Sequence, residues 1–551
     1  MADTLIHRGP DGEGYFTSDK MSLGHRRLSI IDLSEKGKEP MHNEDNYIWL
    51  VFNGEIYNHR DLRKRLKRHH IFSSKTDCEV LLHLYEEQGI DFANDLNGEY
   101  AFAIWDARIR ELFLVRDKAG VKPLYYYWDE EKLIFASEMK AILEHDIKRE
   151  INEEALSEFI HFTFTKDGTT LLNNVYELLP GHILRYQNNI KKISIFPYYI
   201  PGIGKYLNKD ESISLLKKTL KDAVIRRLMS DVPLGVALSG GLDCSIITGI
   251  LSKNLKQPVK TFTVGFGSEL DEFKEAKIVA EHCKTEHTEI HSSFDDLTKN
   301  INKIVWHYEG PFARPAVLSN FILGREIQKH IKVAYCGEGG DELFAGYNRY
   351  DIFSRNKGTL RDISWGVFND MKMFKNVTVQ NVSKEKISLN QALLHDIVFQ
   401  IPGCQTRRVD RMTMAHSTEF RFPYLDNEVI DLSLKIKGDL KYKPNAKKYI
   451  LQLVAKDYLP IKVVKRKKFP FGVPMHEYFQ KEFIDYSSSI LQNPSIKHYL
   501  NIKKINGLIE KAKKQKPYLD KINQIDDRIQ RQILFLTTLE LWHKQFIRGE
   551  K

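Results

Sequence analysis

Cysteine is scarce in this chain: five in 551 residues, at Cys78, Cys244, Cys283, Cys336 and Cys404. Their odd number and irregular spacing exclude a disulfide frame and fit free thiols in a reducing compartment. No apolar run approaches the roughly 20 residues of a membrane-spanning helix. The opening MADTLIHR lacks the apolar core of a secretory signal, so a cytoplasmic location is expected. No G-x-x-x-x-G-K-[ST] loop occurs, which argues against an NTPase of the usual γ-phosphate kind. Neither sign of charge dominates: 83 Lys and Arg face 73 Asp and Glu, for a net charge of +10. Nucleic-acid recognition needs basic residues gathered on one face with aromatic platforms. Here they are dispersed, with short runs at 462–468 and 511–516, and read as a solvated surface. The expected partners are small molecules, among them an anion such as ATP, with no nucleic acid and no membrane; a homodimer is compatible with the chain. Internal repeats and low-complexity tracts are absent.

What is present divides in two. A chain of this length exceeds a single core, and 42% hydrophobic with 28% charged residues describes a soluble globular protein. Short strand-like runs at 47–52, 101–105, 112–115 and 124–127 are flanked by turn signals such as Asn53-Gly54 and Asn97-Gly98. A helix is predicted over 77–87, where Val80, Leu81, Leu84 and Tyr85 make an apolar stripe. This part reads as an antiparallel α+β domain. Pro201, Gly202 and Gly204 mark a linker, which places the domains at 1–205 and 206–551. The second opens with a predicted helix over 212–227. Strands at 234–238, 261–266, 287–290 and 332–335 then alternate with helices at 244–255 and 272–283. That alternation predicts a doubly wound parallel sheet, followed beyond about 350 by a helical extension.

Two glycine-rich turns follow predicted strands. In SGGLDCS (239–245), Gly240 and Gly241 allow close backbone approach, Ser239 adds a hydroxyl, and the next helix offers free N–H groups to anionic oxygens. Asp243 is out of place beside phosphate unless a metal cation lies between them. In CGEGGDELFAG (336–346), Glu338, Asp341 and Glu342 need Mg²⁺ or a cationic partner near phosphate. Asp243 and Asp341 each lie just past a strand end and are candidates to share one metal. A basic run, KRKK (465–468), leads into FPFGVP (469–474). Arg466 and Lys468 there are placed to neutralise a departing pyrophosphate.

Together these segments resemble the asparagine synthetase family, which joins a class II glutamine amidotransferase domain to an ATP-pyrophosphatase synthetase domain. The synthetase signatures appear at 239–244, 337–347, 410–426 (DRMTMAHSTEFRFPYLD) and 466–474. Those of the amidotransferase appear as HRGPDG (7–12), GHRRLSIID (24–32), FNGEIY (52–57), DCE (77–79), NG (97–98) and RDKAGVKP (116–123). The resemblance implies an Ntn-type αββα sandwich, truncated at its start, before the parallel-sheet domain. It also implies a reaction: a carboxylate attacks the α-phosphate of ATP, pyrophosphate leaves, and ammonia displaces AMP to give an amide. In the family that ammonia comes from glutamine through a tunnel. By motif position, Ser239, Gly240, Gly241 and Asp243 hold phosphate and Mg²⁺, Asp341 is the second metal ligand, and Leu238, Val264, Cys336 and Gly337 frame the nucleotide. Glu338 and Lys468 are the expected catalytic groups. Arg27 and Asp77 grip glutamine's α-carboxylate and α-amine, Glu55 also contacts it, and Asn53 with the Gly54 N–H forms the oxyanion hole.

The chain departs from the family at its start. Members begin Met-Cys-Gly-Ile, and that cysteine is the nucleophile; here the chain begins Met1-Ala2-Asp3. Cys78 is a poor substitute because its α-amine is locked in a peptide bond. Three explanations compete: a start inside a longer gene, which is favoured; an ammonia-dependent synthetase; or a relative of the β-lactam synthetases, against which Arg27, Asn53, Glu55 and Asp77 argue. As written, the chain is expected to use ammonia only. Cys244 and Cys336 replace serines, Pro470 replaces a glycine, and Gly310 replaces a glutamate beside Glu309. These changes bear on the acceptor: aspartate leads, and a sugar or cell-wall carboxylate is the alternative. A non-enzymatic binding protein is disfavoured, since both aspartates and Lys468 are present.

Overall fold

Alternation along the strands sets the architecture of the first part. The computed structural model describes residues 1–267, 271–292, 295–363, 366–368, 372–377, 383–466, 481–514 and 528–550. Its early strands are β1 (Gly12–Thr17), β2 (Ser22–Arg27), β3 (Met41–His42), β4 (Ile48–Ile56), β5 (Gly98–Asp106), β6 (Glu111–Arg116), β7 (Tyr125–Trp128), β8 (Leu133–Ala136), β9 (Val175–Glu177), β10 (His182–Gln187) and β11 (Lys192–Pro197). The main antiparallel sheet runs β11-β10-β6-β5-β4-β3; β1 pairs with β2, and β7 lies between β8 and β9. Every residue of β5 and β6 is buried, because the sheet is covered on both faces. Successive side chains point to opposite sides. Phe102, Ile104, Phe113 and Val115 therefore meet Leu81, Leu84 and Tyr85 of the helix Val80–Gln88. Ala101, Ala103, Trp105, Leu112 and Leu114 meet Leu23, Leu124, Tyr126 and Leu178 from the other sheets.

The helix predicted over 77–87 starts at Val80. The three preceding residues are drawn elsewhere: Asp77 accepts the Ile56 N–H at 2.6 Å, and Glu79 accepts from the Ser73 and Ser74 N–H groups at 2.6 and 2.7 Å. The β1–β2 ribbon was not anticipated. Its alternation is weak because much of it is polar and half-exposed.

The second part is a parallel sheet. Its strands are β12 (Leu234–Ala237), β13 (Lys260–Gly265), β14 (Glu286–His291), β15 (Val333–Tyr335) and β16 (Glu419–Arg421), in the order β14-β13-β12-β15-β16. Val236, Phe262, Ala334 and Phe420 lie in one core with Ile246, Ile247 and Ile250 of the helix Leu242–Asn254 and Ala276 and Val279 of the helix Phe273–Cys283. The strand order reverses between β12 and β15, which opens a crevice at their carboxyl ends, the usual ligand position in such sheets. The first helix begins at Lys209, ahead of prediction, because Asn208 and Glu211 form a reciprocal capping box. β16 escaped prediction: three residues, two of them charged, carry no strand signal. A third core joins Phe159 and Ile160 to Phe535 and Leu539 of the helical extension. Among the described residues, no helix is long and apolar enough to cross a membrane.

β16 brings charge to a buried seam between the two parts. Arg421 Nη2 lies 2.7 Å from Glu55 Oε1 on β4, and its Nε lies 3.0 Å from Glu419 Oε1. Lys122 reaches the other oxygen of Glu419 at 2.9 Å. Arg227 bridges Glu99 (2.9 Å) and Asp426 (2.7 Å), and Arg8 bridges Glu138 (3.1 Å) and Asp410 (2.9 Å). All of these side chains are buried. Breaking one such pair strands a buried charge and costs about 3–5 kcal/mol. Arg421→Met is therefore expected to lower the thermal midpoint strongly, and Glu55→Gln in the same chain to restore part of the loss. Two additive losses in that double-mutant cycle would show that the pair is not coupled.

Candidate functional site

The first loop at the crevice is shaped by what it touches. β12 ends at Ala237, and the chain turns through Leu238–Gly241 into the helix Leu242–Asn254. Gly240 has φ +68°, and a Cβ there would lie 2.6 Å from the backbone of Glu275 and Ala276, so the turn rests on the start of the next helix. Ser239 directs its N–H to Cys244 Sγ at 3.3 Å, and its hydroxyl lies 3.2 Å from the same sulfur. The cysteine in the serine position thus closes the loop on itself. Gly241 is the N-cap, so the first N–H groups of the helix face the crevice side of the turn.

The second loop follows β15. Gly339, at φ +91°, turns the chain into the short helix Gly340–Phe344. A Cβ at Gly337 would lie 2.8 Å from Asp243 Cβ, and one at Gly340 would lie 2.7 Å from Asp243 Cγ. Only glycine lets the two loops meet this closely. Asp243 and Asp341 converge on one ammonium: Lys448 pairs with Asp243 and lies 2.6 Å from Asp341 Oδ1. Lys448 has φ +52° and caps the helix Tyr449–Ala455. Burial would lower its pKa, but the two carboxylates reverse this and hold the ammonium above the usual lysine range. Two carboxylates already facing one cation are a hard-oxygen donor pair of the kind Mg²⁺ takes alongside substrate phosphates. The donors fit that ion.

The neighbouring acids are satisfied differently. Glu338 pairs with Arg408 of the helix Arg407–Met414. Glu342 is buried and accepts from Tyr347 Oη at 2.6 Å and Gln405 Nε2 at 2.7 Å. Burial, and then the charges of Asp341 and Glu338, push its carboxyl up to about 7. Leu238 N–H donates to Phe262 at 2.8 Å and Cys336 N–H to Arg421 at 3.1 Å, and Val264 lies half-buried near the end of β13. Arg466 pairs with Glu272 at 2.9 Å, close to the glycine turn. Lys468 and the segment 469–474, Pro470 included, lie outside the described residues. Glu309 accepts the N–H groups of Met139 and Lys140 at 2.9 and 2.7 Å and pairs with Arg411. Beside it, the space at Gly310 borders the Arg407 guanidinium.

The residues expected to bind glutamine lie on and around β4, away from this crevice. Asn53, Gly54 and Glu55 are consecutive on that strand, and Gly54 has φ +136°. Asn53 Nδ2 is buried and has no hydrogen-bond partner among the described residues. Asp77 is tied to Ile56, and burial pushes its carboxyl up to about 6. Arg27 ends β2; two residues earlier, His25 bonds the Phe52 carbonyl at 2.9 Å. The Arg27 guanidinium donates to the carbonyls of Ser34, Ile31 and Asp32 at 2.8, 3.1 and 2.5 Å. Glu39, not anticipated, accepts the Phe52 N–H at 2.5 Å and feels both Asp77 and Arg27. Glu55 is committed through one oxygen to Arg421. Cys78 is buried between Met41 Sδ (3.8 Å) and Thr76 Oγ1 (3.5 Å), and burial pushes its thiol pKa well up, the opposite of what a nucleophile needs.

Sequence reasoning missed Lys448, Arg408, Glu39 and Arg421. Each is a single charged residue in an ordinary context, and its role appears only when distant segments fold together. Arg408 and Arg421 do sit in or beside the 410–426 block. Lys448 offers only a turn-like KPNAKK.

Residues 215–544 match a family model described as asparagine synthase, and residues 1–199 match one described as a glutamine amidotransferase domain. The chain is 32% identical to asparagine synthetase [glutamine-hydrolyzing] 1 of Bacillus subtilis (strain 168), over 93% of this chain and 89% of that one. It is 31% identical to asparagine synthetase [glutamine-hydrolyzing] 3 of the same organism, over 93% and 90%. A putative asparagine synthetase [glutamine-hydrolyzing] 2 of Methanocaldococcus jannaschii is 35% identical, over 63% and 72%. With both models matched in order on the two halves just described, and relatives aligned along nearly their whole length, the chain belongs to the asparagine synthase family of carbon–nitrogen ligases.

Proposed function

We propose that the protein makes asparagine from aspartate and ATP, with glutamine or free ammonia as the nitrogen source, releasing AMP and pyrophosphate through a β-aspartyl-AMP intermediate. The observation that carries this reading is the convergence of Asp243 and Asp341 on one cation where the parallel sheet changes direction. The glycine turn Ser239–Gly241 binds phosphate oxygens, and Leu238, Val264, Cys336 and Gly337 line the nucleotide. Mg²⁺ held by Asp243 and Asp341 would neutralise phosphate charge. The β-carboxylate of aspartate attacks the α-phosphorus, and the bond to pyrophosphate breaks. Ammonia then adds to the acyl carbon, and AMP leaves with the electron pair of the broken C–O bond. Lys448 stabilises negative charge at the phosphates during the first transfer, and Lys468 is assigned to the leaving pyrophosphate. Glu338, paired with Arg408, takes the proton that ammonia loses.

In the first domain, Arg27 and Asp77 are assigned to the α-carboxylate and α-amine of glutamine, with Glu55 beside them. The buried Asn53 amide and the Gly54 N–H serve as oxyanion donors. Glu55 Oε1 pairs with Arg421, while its Oε2 accepts no bond among the described residues. The domains divide near 205/206, and the enzyme works in the cytoplasm.

Asp243→Asn is expected to abolish pyrophosphate release from ATP and aspartate in the presence of Mg²⁺; near-normal release would end its assigned role. Lys448→Ala should lower kcat roughly 10²–10³-fold, as loss of one preorganised charge contact does. A panel of sugar and cell-wall carboxylates in the same assay should give no more than background; a carboxylate turned over faster than aspartate replaces it as the acceptor. Ammonium is expected to support turnover in the absence of glutamine. Glutamine-dependent turnover that disappears in Cys78→Ala would make Cys78 the nucleophile after all.

A further inference from the structure

Four side chains of the first domain converge, and the hydrogen bond between two of them, His83 Nδ1 to Glu86 Oε2, is long at 3.3 Å. They are Glu44 from the β3–β4 turn, His70 from the segment after the His59–Arg65 helix, and His83 and Glu86 from the helix Val80–Gln88. One ligand atom from each lies within 4.8 Å of the others. His83 Nδ1 is 3.3 Å from Glu86 Oε2 and 3.9 Å from Glu44 Oε2; His70 Nδ1 is 3.5 Å from Glu86 Oε2 and 3.8 Å from Glu44 Oε1. The edges of a tetrahedron around zinc, at metal–ligand distances of about 2.0–2.2 Å, are roughly 3.2–3.6 Å. The cluster is a slightly expanded version of that figure.

The surroundings independently orient these donors. His70 Nε2 is 3.1 Å from Glu87 Oε1, and Glu87 in turn accepts the N–H groups of Lys67 and Arg68 at 2.9 and 2.7 Å. That carboxylate holds the Nε2 proton and leaves the Nδ1 lone pair facing the cluster, which is the carboxylate–histidine arrangement behind a metal ligand. Asn43 donates to Glu86 Oε1 at 2.7 Å, so Oε2 faces inward. The Ile71 N–H donates to Glu44 Oε1 at 2.9 Å. His83 and Glu86 are three apart on one helix face, and the His70 and His83 rings are 4.5 Å apart. His83 is 2% exposed and Glu44 37%, so an ion has an entry on the glutamate side only.

We infer that Glu44, His70, His83 and Glu86 form a structural binding site for a zinc-class divalent cation, separate from both substrate sites. Two imidazoles with two carboxylates suit zinc among the available metals, and four protein ligands leave no open position for catalysis. The ion ties the chain around residues 67–71 to the Val80–Gln88 helix. That fixes the approach to Asp77, whose neighbour Glu79 is bound by Ser73 and Ser74.

The test is metal content of the full chain. Purified protein is stripped with chelator, loaded with excess Zn²⁺, desalted and analysed by mass spectrometry. About one zinc per chain should remain, equally in Asp243→Asn, and at most a tenth of that in His70→Gln/His83→Gln. No retained zinc, or a loss that follows Asp243 and not the histidines, overturns the inference. As a readout that does not depend on the fold of the double variant, the unmutated chain is also loaded with Co²⁺. An intense visible band of tetrahedral type that Zn²⁺ displaces, and that Glu86→Gln weakens, supports the site. A weak octahedral-type spectrum unaffected by Glu86→Gln rejects it. Zinc should also raise the melting temperature of the stripped protein by several degrees, and this rise should vanish in the histidine variant.

Discussion

Everything in this molecule is positioned by a wall of buried ion pairs between its two halves. Arg421, Arg227, Lys122 and Arg8 each reach a carboxylate across or along that wall, and all of them are shielded from water. Apolar residues of the same volume would give at least as much stability. What they would not give is register. A guanidinium that must satisfy Glu55, Glu419 and the carbonyls of Arg227 and Met229 at once accepts only one placement of β4 against β16. The segment from 198 to 208 contains no regular element, yet it ties to both halves, through Tyr198 Oη to the Arg116 carbonyl and Tyr199 Oη to Asp431, each at 2.7 Å.

The crevice follows the same logic on a smaller scale. Three acids crowd beside a glycine turn, and each is reconciled with burial by a different means. Asp341 shares the Lys448 ammonium with Asp243. Glu338 takes Arg408. Glu342, which pairs with no cation among the described residues, has its carboxyl pushed up to about 7 by burial and receives hydrogen bonds from Tyr347 and Gln405. The left-handed backbone of Lys448 aims its side chain between the loops. A lysine in ordinary helical conformation at that cap would point along its own helix.

The sequence was most informative where chemistry is local. The continuous apolar run at 101–105 is read as a strand, and it lies within β5, whose residues are all buried. Glycines interleaved with acids after a strand mark the loops at 239–241 and 336–341, since close backbone approach and acid next to acid leave a composition that can be read. Lys448 lies 205 positions from Asp243, and no periodicity links them. β16 is three residues with alternating charge, and its strand character comes from β15 beside it. Glu39 follows the same rule: it matters because Phe52 and Asp77 fold over it. The anticipated catalytic lysine, Lys468, belongs to a segment outside the described residues, whereas Lys448 is within them.

β16 also connects the two proposed substrate sites physically. The Arg421 side chain grips Glu55, which sits next to the Asn53–Gly54 pair, while the Arg421 carbonyl accepts the Cys336 N–H at 3.1 Å. Cys336 opens the loop that carries Glu338 and Asp341. A single residue therefore contacts Glu55 through its side chain and the loop at Cys336 through its backbone, one in each proposed site. On the proposed assignment, glutamine bound beside Glu55 must either share that carboxylate with Arg421 or weaken the pair. Because Arg421 is held by two further carbonyls and Glu419, sharing is the less costly outcome. The seam, held by these bonds, is a common support for both proposed sites. Coupling between the sites, on this geometry, is a matter of electrostatics at Glu55 more than of domain motion.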